Sequence, residues 1–191
     1  EEVIWDFSYF TEEYHPHHDF EPMPNGNILI IAWEKKTQVE QEDAGRVNTN
    51  NEFWPLKIVE LMAIGDDSAI VVWKWHLWDH LIQDVNPNLD NYGDISSNPQ
   101  LLDINLVEIN NPNNGDWLHT NAIDYNVQLD QIAFSSRFLD EIFIIDHSTT
   151  TLEASTHSGG NSGKGGDLLY RWGNPQNYDR GEEEDKLLND Q

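Results

Sequence analysis

A chain of 191 residues that is 38% hydrophobic, with 8 Trp, 6 Tyr and 7 Phe, can bury one substantial core. Its 10 basic against 35 acidic residues give a net charge of −25, which argues against a nucleic-acid surface and fits a chain kept soluble in salt. The absence of cysteine removes disulfides, thiolate catalysis and Cys-bound zinc, and no apolar run approaches the roughly 20 residues that span a bilayer.

The chain opens on Val3-Ile4-Trp5-Asp6-Phe7, an apolar, strand-like run with neither the basic nor the apolar region of a signal peptide. This opening and the polar stretch from Gly181 to Gln191 both read as cut from something longer. Between them β-type segments recur at Asn27–Trp33, Leu56–Leu61, Ala69–Trp75, Gln131–Ser136, Glu141–Ile145 and Asp167–Trp172. Turn chemistry separates them at Pro24-Asn25-Gly26-Asn27, Gly65-Asp66-Asp67-Ser68 and Asn126 to Asp130. Long amphipathic helical patterns are missing, so the expected class is all-β with large loops.

A repeat sharpens this expectation. Val3-Ile4-Trp5-Asp6-Phe7 recurs as Val71-Val72-Trp73-Lys74-Trp75 and as Leu168-Leu169-Tyr170-Arg171-Trp172, which predicts a repeated sheet unit. His17 follows the first copy and His119 the second at matching places, where the chain crosses into the next unit. In a β-propeller that crossing ends on an innermost strand, so both histidines would face the central channel. The resulting division is an outer strand and crossing over 1–16, a blade over 17–75, a long loop insertion over 76–118, a blade over 119–172 and a crossing over 173–191. The insertion, rich in Asn, Asp and Pro, reads as a lid or binding loop, and unpaired sheet edges favour pairing between chains, so a homodimer is one expected arrangement.

Arg137 follows His119 by eighteen residues, and one hairpin can bring both to the same end of a blade. A neutral imidazole is a nucleophile or base near pH 7, and a guanidinium offers a planar fork to a tetrahedral oxyanion, so the pair suits sulfuryl or phosphoryl transfer. The plainer reading is a histidine bonded to a turn and an arginine paired with one of many carboxylates. His15-Pro16-His17-His18-Asp19 has metal-ligating residue types, but in a strand His17 and Asp19 share one face while His18 takes the other. His18 is an alternative to His17 as the channel-facing member. His76 and His80, in the aromatic run Trp73 to Leu81, are secondary substrate-binding candidates beside tryptophans that suit packing. His147-Ser148 resembles a serine-enzyme pair only by adjacency. Gly159 to Gly166 resembles a phosphate loop, but Gly165 stands where a hydroxyl residue is needed and no helix pattern follows.

Taken in order, His17-His18-Asp19-Phe20 with Pro24-Asn25-Gly26-Asn27, Trp75-His76-Leu77-Trp78-Asp79-His80-Leu81, Asp116 to Tyr125, Ser135-Ser136-Arg137 and Gly165 to Pro175 cover nearly the whole chain. This series resembles the bacterial aryl-sulfate sulfotransferases. The resemblance implies a six-bladed propeller, here about two to three blades, exported to the periplasm. It implies transfer of a sulfuryl group from a phenolic sulfate ester to a phenol through a sulfohistidine, with no nucleotide donor, cofactor or metal. Carried over by motif, His119, Arg137 and His17 are the catalytic residues, and the histidine that becomes sulfated is expected beyond Gln191, so that residues 1–191 alone would be inactive. Competing expectations are a non-catalytic ligand-binding or interaction propeller and a metal-dependent hydrolase built on His15 to Asp19.

Overall fold

Two four-stranded antiparallel meanders follow one another along the chain. In the computed structural model, which describes residues 3–49, 52–106 and 115–187, β1 (Tyr14–Pro22), β2 (Ile28–Glu34), β3 (Leu56–Ile64) and β4 (Ser68–His76) pair in that order. A short helix, α1 (Gln38–Asp43), lies between β2 and β3. A 3-10 turn at Leu77–His80 leads to two-residue strands β5 (Leu81–Ile82) and β6 (Leu102–Asp103), which pair in parallel. The second meander is β7 (Thr120–Asn126), β8 (Gln131–Ser136), β9 (Glu141–Asp146) and β10 (Tyr170–Trp172), with α2 (Thr151–Ala154) between its last two strands.

The protein is therefore all-β with two short α-helices among the described residues. Each of the six expected β segments contains a strand, the last shortened to Tyr170–Trp172. The first copy of the repeated run behaves differently, because Val3–Phe7 lies in no strand. Its ties to the rest are Trp5 Nε1 donating to Ser68 O at 2.9 Å and the Asp6 N–H donating to Asp66 O at 2.9 Å, both at the β3–β4 turn, which is too little pairing to make a strand. Gly26, at φ 85°, makes the left-handed step of the β1–β2 turn that a side chain would strain.

Local chemistry explains why β3 is central. Leu56 to Leu61 are all buried, so both faces of this strand are covered. Leu29, Ile31, Ile58 and Trp75 of the first sheet join Ile132, Phe134, Phe143 and Ile145 of the second in one apolar cluster. Trp73 and Trp75 bury their rings and satisfy their indole N–H groups on Thr149 Oγ1 at 3.2 Å and Gly166 O at 2.7 Å. Each such ring contributes on the order of 2–3 kcal/mol by leaving water.

Part of the segment expected as a lid is packed into the core. Leu77, Leu102, Ile104 and Trp117 are fully or almost fully buried within the same cluster, and Trp117 donates to Leu106 O at 2.8 Å. A segment carrying that much apolar surface is held in place by it. Residues 107–114 of the expected insertion lie outside the described residues.

The two sheets meet along their first strands. The Ile123 N–H of β7 donates to Asp19 Oδ2 of β1 at 3.1 Å, a bond that ties the strand bearing His17 and His18 to the strand that follows His119.

Candidate active site

Strand irregularities set the positions of the histidines. The β1–β2 register jumps between Pro16 and Phe20, and the β7–β8 register jumps between Thr120 and Ala122. Within the first break His18 (φ 54°), and just ahead of the second His119 (φ 49°), adopt the left-handed backbone conformation that side chains rarely take. Strained non-glycine positions of this kind concentrate at functional sites. The rings of His18 and His119 meet edge to face, centroids 4.7 Å apart. His17, which the repeat put level with His119, is displaced from that partnership by the extra residues of the β1 break; His18 takes the matching conformation.

His17 turns inward and lies flat on Trp33, 4.1 Å between centroids and 17° between planes. Its Nδ1 is 2.9 Å from Nδ1 of His18, so one of the two donates to the other. Its Nε2 is buried with no hydrogen-bond partner. Burial first, then the neighbouring His18 and His119, pull its pKa down to about 3, which keeps this imidazole neutral.

Asp116 organises the other side. One carboxylate oxygen lies 2.5 Å from His119 Nδ1, and the other accepts the His119 N–H at 3.1 Å and the Trp33 indole N–H at 3.1 Å. An ionised carboxylate only accepts, so Nδ1 of His119 carries the proton that faces it, and a neutral ring keeps its lone pair on Nε2. Asp116 is buried, whereas the His119 side chain is 23% exposed and accessible. Trp33 thus links His17, stacked on its face, to Asp116, bonded to its edge.

Arg137 follows β8, and its N–H donates to His119 O at 3.2 Å. Its side chain is exposed, and no ion pair or hydrogen bond to a described residue engages its guanidinium. In a chain with 35 carboxylates, a guanidinium with no partner among the described residues, on the residue whose backbone bonds to His119, is available to an external anion. On the β1 side, a cleft of about 380 Å3 is lined by Trp5, Phe7, Tyr9 and Phe20 together with His17 and His18. An aromatic wall with imidazoles on it suits a flat apolar ligand carrying a polar group.

A family model described as arylsulfotransferase (ASST) matches residues 5–158. The chain belongs to the arylsulfotransferase family. No curated protein and no solved structure matches it. The match spans β1 to α2 and so contains His17, His18, Asp116, His119 and Arg137.

The other sequence candidates of this arylsulfotransferase-family chain sit elsewhere. His76 lies 3.0 Å from the Glu34 carboxylate, which Lys36 also approaches at 3.1 Å. Burial alone would raise Glu34, but His76 and Lys36 outweigh it and hold the carboxyl at about 2. His80 is wholly buried, stacked on Trp75 and bonded to Asp167 and Ala154, with no contact to the histidine group of β1 and β7. The His15 to Asp19 run does not gather as a metal site: His15 is sandwiched between Phe10 and Trp54, and His17 lies on Trp33. His147 bonds to Asp130 and Glu60 while Ser148 Oγ donates to Asp146, so no serine–histidine pair forms. The glycine-rich loop has its anion already: the Ser162 N–H donates to Asp146 Oδ2 at 2.7 Å.

Sequence reasoning gave no role to Asp116 or Trp33, and it read Asp19 as a candidate metal ligand rather than as the tie between the sheets. Asp116 had a readable signal, since an acid three residues before His119 can return to its ring across a tight turn. Trp33 and Asp19 act across 83 and 104 residues of chain, and nothing local announces them.

Proposed function

We propose that the chain carries part of the active site of an aryl-sulfate sulfotransferase, a periplasmic six-bladed propeller of which the two four-stranded sheets are two blades. The observation that carries this reading is the Asp116–His119 pair, with its free Nε2, beside the uncommitted Arg137. The aryl group of a phenolic sulfate ester lies in the aromatic cleft, with the sulfuryl oxygens toward His18, His119 and Arg137. Arg137 neutralises charge on the sulfuryl oxygens as the S–O bond to the phenol breaks. His119 Nε2 takes the proton from an incoming phenol and, as the imidazolium paired with Asp116, returns one to a departing phenolate. Neutral His17 supplies a flat, uncharged wall and fixes His18 through the Nδ1–Nδ1 bond. In this reading the histidine that becomes sulfated lies C-terminal to Gln191, and His119 and Arg137 act on the donor in concert with it.

The test uses the full-length protein with 4-nitrophenyl sulfate as donor and phenol as acceptor. Release of 4-nitrophenolate that depends on acceptor, and is abolished by His119→Ala and by Arg137→Ala, is the expected result. Release that survives both substitutions, or no release from the full-length protein, sinks the reading. Residues 1–191 expressed alone are expected to give no turnover.

A further inference from the structure

On the opposite flank of the core, two histidines share one carboxylate oxygen. Asp167 Oδ1 lies 2.9 Å from Nδ1 of His80 and 2.7 Å from Nδ1 of His157. All three ligand-type atoms fall within 4.8 Å of one another, a convergence that a single ion can satisfy with small movements. We propose that His80, His157 and Asp167 form a binding site for a divalent transition metal, zinc above all, with an open fourth position.

The donor set argues for the metal. Two imidazole nitrogens and one carboxylate oxygen match the ligand types of zinc sites that have three protein ligands and leave the fourth position for water. They are poorer partners for calcium or magnesium, which take oxygen almost throughout. The framework is also prepared. His80 is fully buried, its Nε2 faces Ala154 O at 2.9 Å, and its ring lies parallel to Trp75 at 5.6 Å and 6°. A backbone carbonyl holding the far nitrogen is the outer-shell arrangement that orients metal-bound imidazoles. Gly166 makes the room, because a Cβ there would lie 2.5 Å from His80 Nε2.

Access comes from the third ligand. The His157 side chain is 62% exposed and lines, with Trp78 and Asp79, an open cleft of about 320 Å3. A metal arriving through that cleft meets His157 first, then the buried pair behind it. The net charge of −25 raises the local concentration of cations at every such surface. Once bound, the ion ties the loop that carries His157 to the turn at Leu77–His80, two segments more than seventy residues apart whose present links include the bonds of His80 to Asp167 and Ala154. The site stands apart from the His18–His119 group and does not depend on the activity assigned to it.

Chelator-treated full-length protein titrated with Co2+ tests the proposal through the visible absorption of the bound ion, with Zn2+ added in competition and thermal unfolding followed in parallel. One equivalent of Co2+ displaced by Zn2+, and a higher Tm with Zn2+, are expected. His157→Ala, at an exposed position that leaves the His80–Asp167 bond in place, should weaken binding by more than about 100-fold, the upper end of what losing a mere outer-shell partner costs. The same variant should lose the Zn2+-dependent rise in Tm, while His18→Ala should keep both. Absence of binding in the parent protein, binding unchanged by His157→Ala, or binding lost in His18→Ala instead would each overturn the proposal.

Discussion

His147, just past β9, and Glu60, in β3, lie 3.2 Å apart and so join the two sheets by an ion pair. Asp130 holds the other ring nitrogen of His147 at 2.7 Å. Both nitrogens face carboxylates, so the ring is an imidazolium here. Burial lowers the His147 pKa, but the bonds to Glu60 and Asp130 outweigh it and leave it above its usual value. The bond from His147 is the largest influence on Glu60, which sits at about 2 although burial opposes the shift.

These two shifts fix a pH window. A raised histidine gives stability that is complete below its unfolded pKa and fades as pH climbs through the folded value; a lowered glutamate gives stability present above its unfolded pKa and lost as pH falls toward 2. Stability should therefore be greatest between about pH 5 and 6, as far as this pair decides it. His147→Gln should flatten the alkaline limb of a plot of Tm against pH. A limb of unchanged slope would show that the pair does not link the sheets energetically.

Asp116→Asn tests the tautomer of His119. An amide nitrogen in place of the oxygen near Nδ1 donates rather than accepts, which moves the ring proton to Nε2 and removes the lone pair from the cleft. Activity of the full-length protein should fall by on the order of 10²–10⁴-fold in kcat with little change in KM. A KM effect alone would reduce Asp116 to a structural support.

Arg137→Ala should cost about 10²–10³-fold in kcat/KM for an aryl sulfate, the usual loss of one charge-stabilising donor. Arg137→Lys should recover only part of it, since an ammonium lacks the planar fork. Because the side chain is exposed, Tm should stay within the small range of surface substitutions. A large fall in Tm would move Arg137 from chemistry to packing.

Arg171→Met addresses stability away from the site. Arg171 makes a two-pronged bond to Glu141, at 3.0 and 2.7 Å, with both side chains almost fully buried. Burial raises the Glu141 carboxyl, and Arg171 is the main force resisting that rise. Removing the arginine alone should destabilise the fold by about 3–5 kcal/mol in chemical denaturation, whereas Arg171→Met with Glu141→Leu should recover much of the loss. Equal losses in the single and double variants would refute the pairing argument.

The strands were legible because alternation and turn residues are local: Gln131–Ser136 was bounded by sequence alone, and Pro24-Asn25-Gly26-Asn27 marked its turn. His119 and Arg137 were legible through their spacing and motif. Three things were not. The breaks that turn His17 inward and His18 toward His119 depend on a strand partner and have no pattern of their own. The segment after His76 looked polar enough for a lid, yet apolar residues within it, among them Leu102, Ile104 and Trp117, anchor part of it in the core. The convergence of His80, His157 and Asp167 joins residues as far as 87 positions apart, and only the packed fold brings it about.

Asp19 holds β7 from β1, so the seam between the sheets passes directly between His18 and His119. The spacing of those rings is consequently a gauge of the angle at which the sheets meet. Whatever sets that angle, the apolar cluster shared by the two sheets included, adjusts the site without touching it. Chemistry in this protein can drift, over generations of substitution, without a change in any residue that performs it.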